Sequence, residues 1–308
     1  MLDVTRLAML REFAMRGTIA AAAEAMGYTP SAVSQQISAL EREAGVRLTR
    51  RSGRRLTLTP PGQRLVEHAG RVLAALDAAE ADLHDADAPL TGTVRVAVFQ
   101  SAALAIVPPA LRALARQHPA LRVHVLQSEP GAALADVWAR DVDLVVAEEY
   151  PHHSAPHYAG MSRRALVRDE IRLCVAGQWA DATSLSDVAA APWVMEPAGT
   201  ATRHFAEQAC RNAGFEPDVR VESADLQAHV RLIESGLVVG LLPGLMWGVE
   251  GLQLIAHPLA VQAWRTVFSA ARDSAGADPA IAAVRDALES AASDLGPEVG
   301  AEPLTGSR

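Results

Sequence analysis

Helix punctuation divides the first 45 residues into three short segments, and this constrains the fold more than any other feature of the chain. Val4, Leu7, Leu10 and Ala14 recur at helical spacing over residues 4–16, and Gly17 follows where a helix needs a left-handed cap. Thr18 then stands as N-cap for a second helix, Ile19–Met26, whose four alanines (Ala20 to Ala23) let another helix cross closely. Gly27 and Tyr28 form a turn. Thr29 caps a third helix with Pro30 at its first position, where the missing N–H is no loss, and that helix runs to Ala44 before Gly45.

The third helix has two faces. Val33, Ile37 and Leu40, with Ala32 and Ala44, make an apolar stripe, while Ser31, Ser34, Gln35 and Ser38 make an uncharged polar stripe opposite. Small hydroxyls and an amide meet base edges in a major groove without an acidic group to repel phosphate, and a helix-turn-helix places its second helix there. Arg47, Arg50, Arg51, Arg54 and Arg55 then crowd around Ser52-Gly53, between Leu48 and Leu56-Thr57-Leu58, as a short hairpin suited to phosphates or a minor groove. The charge agrees with this. Residues 1–72 hold 11 Arg against 6 acids, whereas 73–308 hold 17 Arg against 30, with no lysine anywhere. A basic head on an acidic body reads either as a polyanion-binding module or as solvated faces.

Ala21-Ala22-Ala23-Glu24-Ala25-Met26-Gly27-Tyr28-Thr29-Pro30-Ser31-Ala32-Val33-Ser34-Gln35-Gln36-Ile37, followed by Leu40-Glu41, Gly45-Val46-Arg47-Leu48, Arg54 and Leu58-Thr59, resembles the winged helix-turn-helix of LysR-type transcriptional regulators over about 60 residues. Two positions depart from the pattern. Pro30 stands where the family often has glutamine, which removes a base contact, and Thr49 stands where a phenylalanine usually packs. The DNA-contacting candidates are Thr29, Pro30, Ser31, Ser34, Gln35, Ser38, Arg50, Arg51, Arg54 and Arg55.

Thr59 and Pro60 open a long helix in which Leu65, Ala69, Val72, Leu76, Ala79 and Leu83 keep the a/d rhythm of a coiled coil until Pro89. Such a seam packs either on a second copy of the chain or on its own body; the resemblance implies a dimerising linker. A two-fold dimer would read an imperfect palindrome.

From Thr93 the pattern becomes α/β. Strands are expected at 94–99, 121–126, 143–147, 170–175, 193–195, 219–222, 237–242 and 264–270. Helices are expected from near Ala102 and at 131–139, 184–190, 200–213, 225–235 and 279–292. Periodicity shows only α/β; the resemblance implies two lobes of a periplasmic-binding-protein-like domain. The expected fold class is therefore α/β multidomain: a winged helix-turn-helix (1–60), a linker helix (61–88), a two-lobed effector-binding domain (89–295) and a flexible tail (296–308). Ligands of open α/β sheets settle beyond the strand ends near helix N-termini. That selects Gln100, Ser101, Ser128, Glu129, Ala198, Thr200, Thr202 and Asp225 as effector-binding candidates. Gly199 lies among them, and Ser101, Thr200 and Asp225 equally suit helix caps. The hydroxyls suit a small carboxylate-bearing metabolite, and Glu129 and Asp225 an amine.

Other signals carry less. His152, His153 and His157 lie in a Pro-rich stretch that explains itself as a linker, so no metal is expected. Cys174 and Cys210 are too few for a disulfide framework and read as core thiols. The longest uncharged runs, 25–40 and 96–111, are 16 residues each and contain proline, short of a membrane helix. Asp3, Arg6, Arg11 and Glu12 interrupt any signal-peptide core and point to the cytoplasm. No nucleophile elbow, phosphate cradle or dinucleotide glycine pattern is present, so an enzyme is not expected. The expected function is sequence-specific transcriptional regulation, as a homodimer or homotetramer on double-stranded DNA. A small-molecule co-inducer stands in place of a cofactor, and RNA polymerase is a possible further partner. A transporter's solute-binding protein would need an export signal and no basic head, and an architectural DNA binder would bind no metabolite.

Overall fold

A computed structural model describes residues 1–52, 55–82, 89–139, 141–151, 153–158, 160–248, 253–260, 263–273, 275, 278–295 and 301–303. The head follows the punctuation. Helix α1 (Val4–Arg16) is capped by Asp3, which accepts from the Arg6 N–H, and ends at Gly17 with φ +72°. Thr18 caps α2 (Ile19–Ala25), and Thr29 caps α3 (Pro30–Ala44) through the Ala32 N–H. Leu10, Phe13, Ala22, Val33, Ile37 and Leu40 close the core between them. Strands β1 (Thr49–Ser52) and β2 (Arg55–Leu58) pair antiparallel as the wing.

Glu41 anchors the wing to α3. Its carboxylate is 8% exposed and accepts from the Leu48 and Thr49 N–H groups (both 2.9 Å) and the Thr49 hydroxyl (3.0 Å). Thr49 therefore replaces the expected aromatic packing with a hydrogen bond. The Thr59 N–H bonds the Leu48 carbonyl at 2.9 Å and turns the chain into α4 (Pro60–Asp82). A Cβ on Gly62 would lie 2.1 Å from that carbonyl, so only glycine fits there.

The expected α4 seam divides. Leu65, Val66 and Ala69 pack into the head core, because α4 starts against Leu48 and lies along α1. Val72 and Leu76, 41% and 43% exposed, and Ala79 stay uncovered; Leu83 lies outside the described residues. Arg16 at the end of α1 is paired with Glu12 (3.1 Å) and with Asp141 of the body.

The body begins with β3 (Gly92–Val98), α5 (Gln100–Ala105), α6 (Val107–Gln117), β4 (Leu121–Gln127), α7 (Pro130–Ala139) and β5 (Leu144–Glu149). Strands β4, β3 and β5 are parallel neighbours. Pro108 and Pro109 fall in the first turn after Ile106 and split the expected single helix into α5 and α6. Strand β6 (Met161–Val175) is much longer than the expected 170–175. Its first part carries Arg163, Arg164, Arg168 and Asp169 and reads as a polar loop. It is a strand because β11 takes up its hydrogen bonds along Met161–Glu170.

The second lobe adds β7 (Pro192–Met195), α8 (Ala201–Asn212), β8 (Asp218–Glu222), α9 (Leu226–Glu234), β9 (Gly240–Pro243) and β10 (Ile255–Pro258). Residues 185–188 form only a short 3-10 turn instead of the expected helix 184–190, closed by the reciprocal capping bonds of Ser184 and Asp187. Strand β11 (Trp264–Arg272) returns to the first lobe antiparallel to β5 and β6, and α10 (Pro279–Ser293) covers it. Because β6 pairs with β11 over Met161–Glu170 and with β9 and β10 beyond, it runs through both lobes. β12 (Ala301–Pro303), within the stretch expected to be a flexible tail, pairs with β6 at Val167–Asp169, an edge the other strands leave open. No helix among the described residues is long and apolar enough to cross a membrane.

Glu41→Ala leaves a buried N–H unpaired and should destabilise the protein by about 2–3 kcal/mol in chemical denaturation. Burial alone would raise the Glu41 pKa, but bonds from Thr49, Leu48 and Arg47 hold it below the usual carboxylate range. Its stabilisation is thus present above about pH 4.5 and lost as pH falls through the folded value, a loss that Glu41→Gln should abolish.

Candidate functional site

The helix α3 side chains Ser31, Ser34, Gln35 and Ser38 are all exposed, as are Thr29 and Pro30 at its start. Their internal bonds differ. The Thr29 hydroxyl caps the helix and lies 3.1 Å from the Ser31 hydroxyl, and Ser38 donates to the Ser34 carbonyl at 2.9 Å. Among the described residues Ser34 and Gln35 have no side-chain partner, which leaves them free for base edges. Gln36, one residue on, is taken by Arg6 Nε at 2.8 Å. On the wing, Arg50, Arg51 and Arg55 are exposed and form no ion pair among the described residues; Arg54 lies outside them. Arg47 differs from its neighbours in pairing with Glu41 at 3.2 Å. The wing thus carries unneutralised arginines, whereas the exposed Ser31–Ser38 stripe of α3 is uncharged.

In the body, the start of α5 meets the start of α9 across the lobes. Gln100 donates to the Asp225 carboxylate and accepts from the Leu226 N–H, both at 2.7 Å. Asp225 also caps α9 through the Gln227 N–H, and the Gln100 amide holds its carboxyl below the usual range. These two candidates form a clasp between the lobes.

Ser101 is different. It is fully buried, and its hydroxyl accepts from Arg265 Nη2 at 2.6 Å. Arg265, 2% exposed, also donates to Asp169 (2.7 Å), Glu148 and the Tyr150 hydroxyl (3.3 Å), and its guanidinium lies 5.0 Å from the centre of the Phe99 ring. The Tyr150 hydroxyl continues to Thr202 of α8 at 3.0 Å, so the cluster spans both lobes. Burial pushes the Glu148 and Asp169 carboxyls up, with Arg265 opposing. Glu148, Tyr150, Asp169 and Arg265 were not among the expected site residues. Nothing local in the sequence marks them: Asp169 stands between Arg168 and Glu170, Glu148 precedes Glu149, and Tyr150 follows β5.

Of the other candidates, Thr202 bonds the cluster through Tyr150 and Glu129 repels Glu148. Thr200 caps α8 through the Arg203 N–H and donates to the Pro197 carbonyl; Ala198 and Glu129 are exposed, and Ser128 is partly buried after β4. Glu196, beyond the end of β7, is partly buried, and its carboxyl is pushed up to about 8 by burial and by repulsion from Glu148 and Glu129. Hydroxyl, carboxyl and amide groups of the two lobes thus meet at the Gln100–Asp225 clasp and at the Arg265–Tyr150–Thr202 chain.

Among the described residues no group of His, Cys, Asp or Glu is placed to hold a metal. His153 faces the His204 ring at 5.7 Å, His157 lies 3.3 Å from Arg163, and His152 lies outside the described residues. Cys174 and Cys210 are buried free thiols, both pushed up by burial, Cys210 to about 12, which disfavours the reactive thiolate.

A carboxyl with a raised folded pKa binds its proton more tightly in the native state. Stability should therefore fall as pH rises from about 5 through 8, and Glu196→Gln should flatten that fall in thermal melts. An unchanged slope would assign the dependence to Glu148 and Asp169.

Comparison with known proteins agrees with this geometry. Residues 4–63 match the bacterial regulatory helix-turn-helix protein, lysR family, and residues 87–293 match the LysR substrate binding domain. The transcriptional dual regulator GltC of Bacillus subtilis is 30% identical over 217 residues, covering 69% of this chain and 71% of GltC. A probable hydrogen peroxide-inducible genes activator of Mycobacterium avium is 28% identical, covering 88% of this chain and 89% of the relative. The fold matches a full-length OxyR variant from Pseudomonas aeruginosa with a TM-score of 0.66 at 19% identity, covering 94% of this chain and 95% of that one. It matches CbnR, a LysR family transcriptional regulator, with a TM-score of 0.54 at 19% identity, covering 93% and 100%. With its reading helix and wing at one end and a two-lobed effector domain at the other, the chain belongs to the LysR family of DNA-binding transcriptional regulators.

Proposed function

We propose that the protein binds an imperfect palindrome in the cytoplasm as a homodimer or homotetramer, and that a small effector held between its lobes sets the placement of its two heads. The observation that carries the reading is the uncharged, exposed face of α3 beside unpaired wing arginines. Ser34 and Gln35 read bases, Ser31 and Ser38 contribute through their remaining lone pairs, and Thr29 and Pro30 set the helix start against the backbone. Arg50, Arg51, Arg54 and Arg55 hold phosphates or reach the minor groove. The uncovered part of α4, at Val72, Leu76 and Ala79, meets its counterpart in a second copy. The assembled protein then presents a surface to RNA polymerase.

The effector is a small carboxylate-bearing metabolite. The free N–H groups at the start of α8 favour its anionic end, with Thr202, Ser128, Ala198 and Gln100 around it, Thr200 holding that helix start as its cap and Glu129 placed for an amine. Asp225 and Ser101 serve from behind, as clasp and as support for Arg265. Binding shifts the lobes only if it favours one arrangement over the other, so the signal is occupancy, with no turnover.

Footprinting upstream of the protein's own coding region supplies a duplex for binding assays. Ser34→Ala and Gln35→Ala should each reduce preference for that site over random duplex by about 5- to 50-fold. Arg50→Ala should weaken binding to both and reduce the salt slope by about 0.9. Equal losses on both duplexes from all three would overturn the division between reading and anchoring. Leu76→Asp should shift the protein to a smaller species in light scattering; an unchanged mass would place the subunit contact elsewhere. Carboxylic metabolites that never raise the melting temperature would remove the effector assignment.

A further inference from the structure

The second lobe carries a cavity of about 710 Å³ away from the interlobe clasp, between α8, the 184–186 turn and Leu259, Ala260 and Ala263. That volume lies within the usual range for small-molecule sites. Its floor is apolar, made by Leu185, Phe205, Ala209 and Leu259. Along one rim, His204, Gln208 and Asn212 stand at i, i+4 and i+8 on α8. Among the described residues, Gln208 and Asn212 have no side-chain hydrogen-bond partner within the chain. No Asp, Glu or Arg belongs to the described lining.

We propose that this cavity is a second ligand site, distinct from the cleft, for a neutral molecule with a flat apolar body and one hydrogen-bonding end. Charge decides the class: among the described residues the lining supplies no Asp, Glu or Arg to pair with an ion, whereas its apolar floor favours a neutral body. The apolar body rests on Phe205 and Leu259, and the polar end meets the amides of Gln208 and Asn212. The site also touches the machinery of the cleft. The Phe205 ring is 5.5 Å from the Tyr150 ring, and the Tyr150 hydroxyl joins Thr202 to Arg265. An occupant is therefore one ring away from the cluster that spans the lobes.

The test uses the full chain without DNA, so its outcome is independent of operator binding and of the cleft's effector. The probe is N-phenyl-1-naphthylamine, neutral, aromatic and carrying one N–H. Its fluorescence should rise saturably at one dye per chain. Gln208→Trp, at an exposed position that leaves the core intact, should weaken binding at least tenfold by filling the cavity. Gln208→Ala should weaken it about threefold to tenfold through the lost hydrogen bond, and Gln117→Trp on α6 should change nothing. The anionic 1-anilinonaphthalene-8-sulfonate should bind at least tenfold more weakly. Equal binding of the two dyes would overturn the neutral class. A titration unmoved by Gln208→Trp would overturn the site, and if the same variant also lowers the oligomeric mass, the groove is a contact between copies of the chain.

Discussion

Arg265 holds a full positive charge where almost no solvent reaches it, and the body is arranged around satisfying it. Taking a guanidinium and two carboxylates out of water costs several kcal/mol per ion, which their attraction recovers only with well-placed hydrogen bonds. Here the strands supply them. Asp169 lies on β6, Glu148 on β5, Ser101 opens α5 and Tyr150 follows β5. Any register slip of β6 against β11 would separate Arg265 from Asp169, its neighbour across the ladder, and strand both charges. The cluster thus specifies one arrangement of the strands that join the lobes. Through Tyr150 and Thr202 it also reaches the start of α8 in the second lobe.

The head follows the same logic with a single charge. Glu41 leaves the apolar side of α3 to collect the backbone donors at the start of the wing, and the wing arginines are thereby carried on a strand of fixed direction. From Ser31 to Ser38 the outer face of α3 carries neutral groups only, and charge returns with the exposed Arg42 in its last turn. Head and body also touch within one chain, where Arg16 meets Asp141 next to the buried Glu12. Burial raises the Glu12 pKa there despite the adjacent arginines.

Much of this was legible from residues 1–60, because capping is local: Thr18, Thr29, Pro30 and Gly17 each act on backbone groups within a few residues. The strands of the body were mostly legible too, since buried parallel strands read as apolar runs. The exceptions have two causes. The first part of β6 hides behind its charges, α5 and α6 behind an unbroken apolar run, and β12 behind a polar tail. In each case a partner distant in sequence, or a proline pair, decides the element.

By itself the sequence determined the reading helix, its uncharged face, the basic wing and the α/β character of the body, because these rest on periodicity and on contacts within one turn. Only the tertiary structure decided which polar residues belong together. Ser101 and Arg265 are 164 positions apart, and Gln100 and Asp225 are 125 apart, yet each pair is in hydrogen-bond contact. Likewise the regular α4 stripe gave no hint that its first half is covered by the head and its second half left open. Periodicity shows that a face is apolar, but what lies against it depends on where the rest of the chain returns.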